Sequence, residues 1–268
     1  MQEVLCIQDL SCVGKCSLTV ALPVLSAMGC SCSVLPTSVM STHTAFKNPH
    51  IHSLTEDIVP MGAHWQAIRK RFCGILVGYL SDEAQIQAVS EILAAYPVIT
   101  VLDPAMADGG KLYSGLSADH PRHIKELCKQ AQILLPNVTE ACLLTGIPYQ
   151  EAGDRVYYES LVNGLFDLGV QSVMLTGISL SEGKTGFLYA TRQKRSKVYQ
   201  AKKIPGHFHG TGDMFSAVFT GALLRGLPEY DAGVLAAKFV ERVLNHTPDY
   251  SLFGANFEPQ LPWLWEQL

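Results

Sequence analysis

Charge is scarce in this chain: Asp, Glu, Lys and Arg make up only 16% of its 268 residues, and their balance is -4. No basic stripe follows a helical period, and a net negative surface repels a phosphate backbone, which argues against nucleic acid as a partner. So little charge is also poor material for a long disordered arm. The chain does not open on a basic stretch followed by an apolar one, and no run of about 18 apolar residues occurs, so neither a leader nor a membrane-spanning helix is expected. Paired C-x-x-C sets are missing as well. Cys12, Cys16 and His43 therefore lack a zinc-site pattern, and Cys6, Cys30, Cys32, Cys73, Cys128 and Cys142, set among Val, Leu and Ile, read as small buried hydrophobes. Thiols used in this way belong to a reducing compartment, which points to the cytoplasm.

Hydrophobic residues make up 48% of the chain, enough for one large α/β core spanning residues 1–268. Short apolar runs predict strands at Val4–Ile7, Ser33–Pro36, Gly74–Tyr79, Val98–Asp103, Ile133–Pro136, Ser172–Thr176 and Gly186–Ala190. Amphipathic helices are predicted at Leu18–Met28, Asp57–Phe72, Asp82–Tyr96, His120–Ala131, Met214–Arg225 and Ala232–Asn245, with Asp82 and Glu83 as a cap and a first-turn acid. This alternation signals a mostly parallel sheet covered on both faces, with ligands bound beyond the carboxyl ends of the strands. Residues 185–206 break the rhythm with hairpin-like alternation and a basic group of Arg192, Lys194, Arg195 and Lys197. Two readings stand for that segment: a lid over the site, or a surface hairpin whose positive charges protect an edge strand.

Chemistry gathers at three places. Gly210-Thr211-Gly212-Asp213 precedes an apolar helix, whose first amides and positive dipole end suit an anion. Asp213 could cap that helix, but capping would not call for glycines on both sides of Thr211; an anion cradle with an adjacent base accounts for all four residues. Asp103-Pro104-Ala105-Met106-Ala107-Asp108 leaves a buried strand, as a turn or as a carboxylate site. Pro136-Asn137-Val138-Thr139-Glu140 opens a helix, with Thr139 as a cap, or with Asn137 and Glu140 acting through water on a magnesium ion. A Walker loop is excluded. Gly177 and Gly183-Lys184-Thr185 are spaced one residue too far apart, and the next stretch, Gly186–Ala190, reads as strand rather than helix. The three-glycine dinucleotide fingerprint is missing too.

Taken in order, these three motifs resemble the ribokinase-like superfamily. Cys6-Ile7-Gln8-Asp9-Leu10-Ser11, Ser38-Val39-Met40-Ser41-Thr42-His43-Thr44 and Val77-Gly78-Tyr79-Leu80 resemble its pyridoxal kinases. The resemblance implies a three-layer α-β-α sandwich and transfer of the γ-phosphoryl group of ATP to the hydroxymethyl of pyridoxal, pyridoxine or pyridoxamine. It implies that Asp213 is the base, with Gly210, Thr211 and Gly212 holding the transferring group. Asp103, Asp108, Asn137, Glu140, Thr176 and Gly177 would serve the nucleotide, with Asp103 and Glu140 on Mg2+. Asp9, Ser11, His43, Thr44 and Tyr79 would line the acceptor. A monovalent cation such as K+ and a homodimer also belong to the implied picture. Asp9 stands where better-known pyridoxal kinases carry Ser, and His43 stands where Gln is expected in hydroxymethylpyrimidine kinases, the alternative activity. His207-Phe208-His209 replaces a reactive cysteine pair found in some dual-specificity members, so covalent capture of pyridoxal by that route is not expected. A non-catalytic vitamer sensor is the other alternative, and a sensor would need no base at the position of Asp213.

Overall fold

Strand β1 (Glu3–Val13) sends Leu5 and Ile7 into one core and Val4 and Cys6 into another. The same division recurs at Ile75 and Val77 against Leu76, at Leu102 against Val101, and at Val173 and Leu175 against Met174. Each central strand is therefore apolar on both faces, as a parallel sheet between two helical layers requires. The computed structural model describes residues 2–206, 208–247 and 252–267. After β1 come α1 (Leu18–Ala27), β2 (Ser31–Thr42), β3 (Ile51–Ser53), α2 (Thr55–Ala67), β4 (Gly74–Val77), α3 (Glu83–Ala95) and β5 (Ile99–Leu102). A small antiparallel pair, β6 (Ala107–Asp108) and β7 (Lys111–Leu112), precedes α4 (His120–Cys128), β8 (Ile133–Leu134), α5 (Val138–Thr145) and α6 (Arg155–Phe166). The rest of the described chain holds β9 (Ser172–Ile178), β10 (Lys184–Thr191), β11 (Lys194–Lys202), α7 (Thr211–Leu224), α8 (Glu229–Asn245) and α9 (Leu261–Glu266).

Nine strands form one sheet in the order β11-β10-β9-β8-β5-β4-β1-β2-β3. The six from β9 to β2 are parallel, and β3, β10 and β11 add antiparallel edges. Helices α2 to α6 cover one face through residues such as Ile58, Val89, Ile124, Ala141 and Leu161; α1, α7, α8 and α9 cover the other through Val24, Phe219, Phe239 and Leu264. The expected α-β-α sandwich with a mostly parallel sheet is what the chain forms. Because the six central strands run the same way, their carboxyl ends share one edge, and that edge collects the polar residues that come after them.

Several local expectations change. β1 and β2 run well past their apolar runs, so Asp9 and Ser11 lie within β1, and Ser38–Thr42 lies within β2. The first helix after β3 ends at Ala67 rather than Phe72. Asp82 does cap α3, accepting from the Gln85 amide, while an unanticipated cap, Asp154 accepting from the Tyr157 amide, starts α6. Cys73 is exposed and Cys32 half-buried, so the reading of all six cysteines as buried holds for the other four. The Lys184–Thr185 segment begins β10, which confirms that no Walker loop is present there. No helix among the described residues is long and apolar enough to cross a membrane.

The segment 185–206 does make a hairpin, but its strands belong to the sheet. β10 pairs with β9, and Phe187 and Leu188 are fully buried, with the Phe187 ring stacked on Tyr199 at 5.5 Å. Arg192 donates to the carbonyls of Val170 and Phe166, and Lys197 lies over the Tyr230 ring, so these two charges anchor the hairpin to its neighbours. The side chain of Lys194 and the whole of His207 fall outside the described residues.

Candidate active site

The N-terminus of α7 lies at the carboxyl edge of the sheet. Gly210 precedes it in a left-handed conformation (φ 81°), and a Cβ there would sit 2.0 Å from the Lys15 carbonyl oxygen, so only glycine fits. No side chain caps this helix, which leaves the first-turn amides without a side-chain acceptor, and Asp213 is not a cap. Gly212 has a different reason to be glycine. The one atom near its missing Cβ is Oδ2 of Asp103, at 3.9 Å, so the space above it is open toward that carboxylate. Thr211 ties the turn by donating to the Phe208 carbonyl.

Four carboxyl groups form a row along this edge, all raised by burial, and three of them, Asp213, Asp103 and Glu140, also by the neighbouring carboxylate. Asp213 is pushed up to about 6 by burial and by the charge of Asp9, against the pull of the Ser17 amide, which donates to it. Burial and Asp213 raise Asp103, which begins the loop after β5, to about 7, although the Ser216 hydroxyl favours its charged form. Burial and Asp103 lift Glu140 well above the usual carboxylate range. Asp9 is raised chiefly by burial and is stabilised as a carboxylate by the hydroxyls of Ser17 and Ser11.

Asn137 and Glu140, at the start of α5, have structural roles. Asn137, rather than Thr139, caps the helix: its Oδ1 accepts from the Glu140 amide and its Nδ2 donates to the Ala107 carbonyl. Glu140 completes the capping box by accepting from the Asn137 amide at 2.8 Å, and its other oxygen accepts from the Met106 amide at 3.1 Å. It thereby fastens the Asp103–Asp108 loop. Thr139 accepts from the Gly110 amide instead. Asp108 is exposed at the β6–β7 turn with its Oδ1 accepting from the Gly109 amide. Among the described residues no group of three His, Cys, Asp or Glu side chains could hold a metal by itself. The donor set of Asp103 and Glu140 fits a magnesium-like cation that keeps waters and takes its remaining oxygens from phosphates. Thr176 donates to the Pro136 carbonyl, and Gly177 is a bulge within β9 rather than a turn after it (φ 75°), with no atom within 4 Å of its missing Cβ.

The structure also brings together Asp9, Ser11, His43 and Tyr79. Ser11 donates to Asp9 at 2.9 Å. His43 is buried, its Nε2 2.7 Å from the Leu252 carbonyl, and its ring packs against Phe46 and His209 at 4.9 and 4.7 Å. Thr44 comes next in the turn, half-buried. Burial, Asp9 and Asp82 push the Tyr79 phenol up to about 12, so it acts as a neutral donor. Three contributions had no signal in the sequence. Ser17 reaches both Asp9 and Asp213. Tyr113 lies in the field of Glu140, Asp103, Asp108 and Asp213. The segment Leu252–Gly254 brings Phe253 against Phe46 at 5.1 Å and its carbonyl onto the Lys15 amide.

The sequence profile of a family described as phosphomethylpyrimidine kinase matches residues 21–255. A pyridoxine/pyridoxal/pyridoxamine kinase from Bordetella bronchiseptica is 28% identical over 266 residues, 91% of this chain and 89% of that protein. The crystal structure of a pyridoxal kinase from Lactobacillus plantarum superposes with a TM-score of 0.90 at 31% identity, covering 100% of this chain and 98% of the other. A putative phosphomethylpyrimidine kinase from Bacteroides thetaiotaomicron, in a crystal form with pyridoxal, gives 0.93 at 28% identity, covering 99% and 96%.

Proposed function

The chain belongs to the phosphomethylpyrimidine kinase family, and from that premise we propose that it phosphorylates the hydroxymethyl group of a vitamin B6 vitamer with ATP. It is a phosphotransferase with an alcohol as acceptor. The observation that carries the phosphoryl-transfer reading is Asp213: a carboxyl raised to about 6, not used as a cap, at an uncapped helix start and beside the open space over Gly212. Such a group is ionised at neutral pH yet basic enough to take the proton of the hydroxymethyl oxygen, a contribution of about 10²–10⁴ in rate. The free amides of Gly210 to Asp213 would hold the charge of the transferring group, and Asp103 and Glu140 would hold a magnesium ion that neutralises phosphate charge. Thr176 and Gly177, with its unobstructed bulge, would border the nucleotide. Asp9, Ser11, His43, Thr44 and Tyr79 would line the ring, and the His43, Phe46, His209 and Phe253 cluster would keep water from it. The proposal includes a cytoplasmic homodimer.

Hydroxymethylpyrimidine kinase activity is the second reading, favoured by the description of the family profile. The B6 reading is preferred because a relative matching most of the chain bears the B6 activity in its name, and a similar structure was crystallised with pyridoxal. Equimolar pyridoxal and aminopyrimidine, offered together with ATP and Mg2+, test the choice. Vitamer phosphate should dominate the early products, and a preference for the aminopyrimidine phosphate would reverse the assignment.

A further inference from the structure

Asp9 is a buried carboxyl with no Lys or Arg paired to it among the described residues. It is 2% exposed, Ser11 donates to its Oδ2 at 2.9 Å, and Ser17 donates to its Oδ1 at 2.5 Å. Among the described residues no Lys or Arg pairs with it. Lys15, on the loop that leaves β1, is committed elsewhere, 2.8 Å from Glu258 and 2.7 Å from Asn256. The groups whose fields meet Asp9 are the imidazole of His43, the phenol of Tyr79, the thiol of Cys16 and the carboxylate of Asp213. Among the described residues Asp9 and Asp213 thus lie in each other's field with no Lys or Arg paired to Asp9. An unpaired carboxylate in a low-dielectric pocket is costly, and a charge brought in by the substrate removes that cost. The two serine hydroxyls and the residue's own backbone amide take three of the four lone pairs of the carboxylate, which leaves one for an incoming donor.

We propose that Asp9 selects an acceptor that carries a primary ammonium group beside its hydroxymethyl-bearing ring, which makes pyridoxamine the favoured vitamer. The inference rests on the vitamin B6 reading above. A ring nitrogen cannot account for such a preference, because all three vitamers have one. An ammonium distinguishes pyridoxamine from the aldehyde and the alcohol, and it brings a positive charge and a donor to the lone pair that Asp9 keeps open. Asp9 then acts as a specificity-determining residue, separate from the base.

The test compares kcat/KM for pyridoxamine, pyridoxal and pyridoxine in the wild type, Asp9→Ser and Asp9→Asn. The wild type should favour pyridoxamine over pyridoxine, and the ratio of the two should fall about 10–100-fold in Asp9→Ser, the range for a charge-assisted hydrogen bond. A ratio that does not move overturns the proposal, as does an equal loss on every vitamer, which would mean contact with a shared atom or action through Asp213. Calorimetric binding of pyridoxamine and of pyridoxine to the wild type needs no variant to fold. Tighter binding of the amine supports the proposal, and equal binding overturns it. Should the enzyme turn over no vitamer at all, the B6 reading fails, and the binding comparison still decides whether Asp9 selects the amine.

Discussion

Ser17 holds two carboxylates at once, its hydroxyl on Asp9 and its amide on Asp213, and it does so at φ 49° and ψ -129°, a conformation side chains rarely adopt. Strain of this kind at a pocket wall is consistent with a residue held for position. The electrostatics of Asp213 give two linked expectations. As a base it must be deprotonated, so kcat/KM should fall as pH drops through about 6, and Asp213→Asn should lose about 10²–10⁴ in kcat while still binding nucleotide. Its folded-state pKa lies above the unfolded value, so the stability it contributes is present below about pH 4 and lost as pH rises through about 6. Asp213→Asn should therefore stabilise the ligand-free protein by about 1–3 kcal/mol at pH 8 and hardly at all at pH 4, measured by denaturant unfolding. An Asn variant that keeps activity within a few-fold would reduce Asp213 to a structural residue. Glu140 is the contrasting case, because it supports the fold as well as the proposed cation. Glu140→Ala should cost about 2–4 kcal/mol by orphaning the Asn137 and Met106 amides, and it should also raise the Mg2+ needed for half-maximal rate. A magnesium titration that does not shift would leave only the bracing role.

At the scale of elements, apolar alternation was enough to read the central strands and most helices, because a strand buried on both faces has few polar residues to obscure it. The same rule underestimated β1 and β2, whose ends turn polar where they enter the site: Gln8-Asp9 and Ser38 are buried but not apolar. Helix α6 went unread because its apolar residues, Tyr157, Tyr158, Leu161, Val162 and Leu165, are interrupted by Gly164 and Asn163, and only the Asp154 cap marks its start. The three phosphate-side motifs were legible, since two of them open a helix and the third follows directly on the buried strand β5, so each sets polar residues against an apolar run. For the hairpin, the packing of Phe187, Arg192 and Lys197 confines any lid to the connector between β11 and α7. Trypsin should cut after Lys202 or Lys203 more slowly when nucleotide and vitamer are both bound, and cleavage after Arg195 should not change. Protection that is absent at both positions would leave the segment without a closing role.

Across the whole molecule, the site joins stretches of chain that share no local signal. The Lys15 carbonyl is enclosed between Gly210 and Gly254, where Cβ atoms would approach it to 2.0 and 2.9 Å, and the Lys15 amide donates to the Phe253 carbonyl. The proposed acceptor wall thus depends on residues some 240 positions apart, which no reading of a short motif could bring together. Gly210→Ala combines a positive φ with that clash, so it should destabilise the fold by roughly 2–4 kcal/mol and displace the anion cradle, read as a lower midpoint of unfolding together with a raised KM for ATP. The two cores on either face of the sheet fix the strand ends, and the strand ends fix the row of carboxyls on which the proposed chemistry depends. The most direct measurement is mass-spectrometric identification of the product formed from pyridoxamine or pyridoxal with ATP and Mg2+, beside the Asp213→Asn variant. Vitamer 5′-phosphate and ADP should form in equal amounts with the wild type, and the variant should be at least about 100-fold slower. ADP without vitamer phosphate, or a variant as fast as the wild type, would contradict the proposed chemistry.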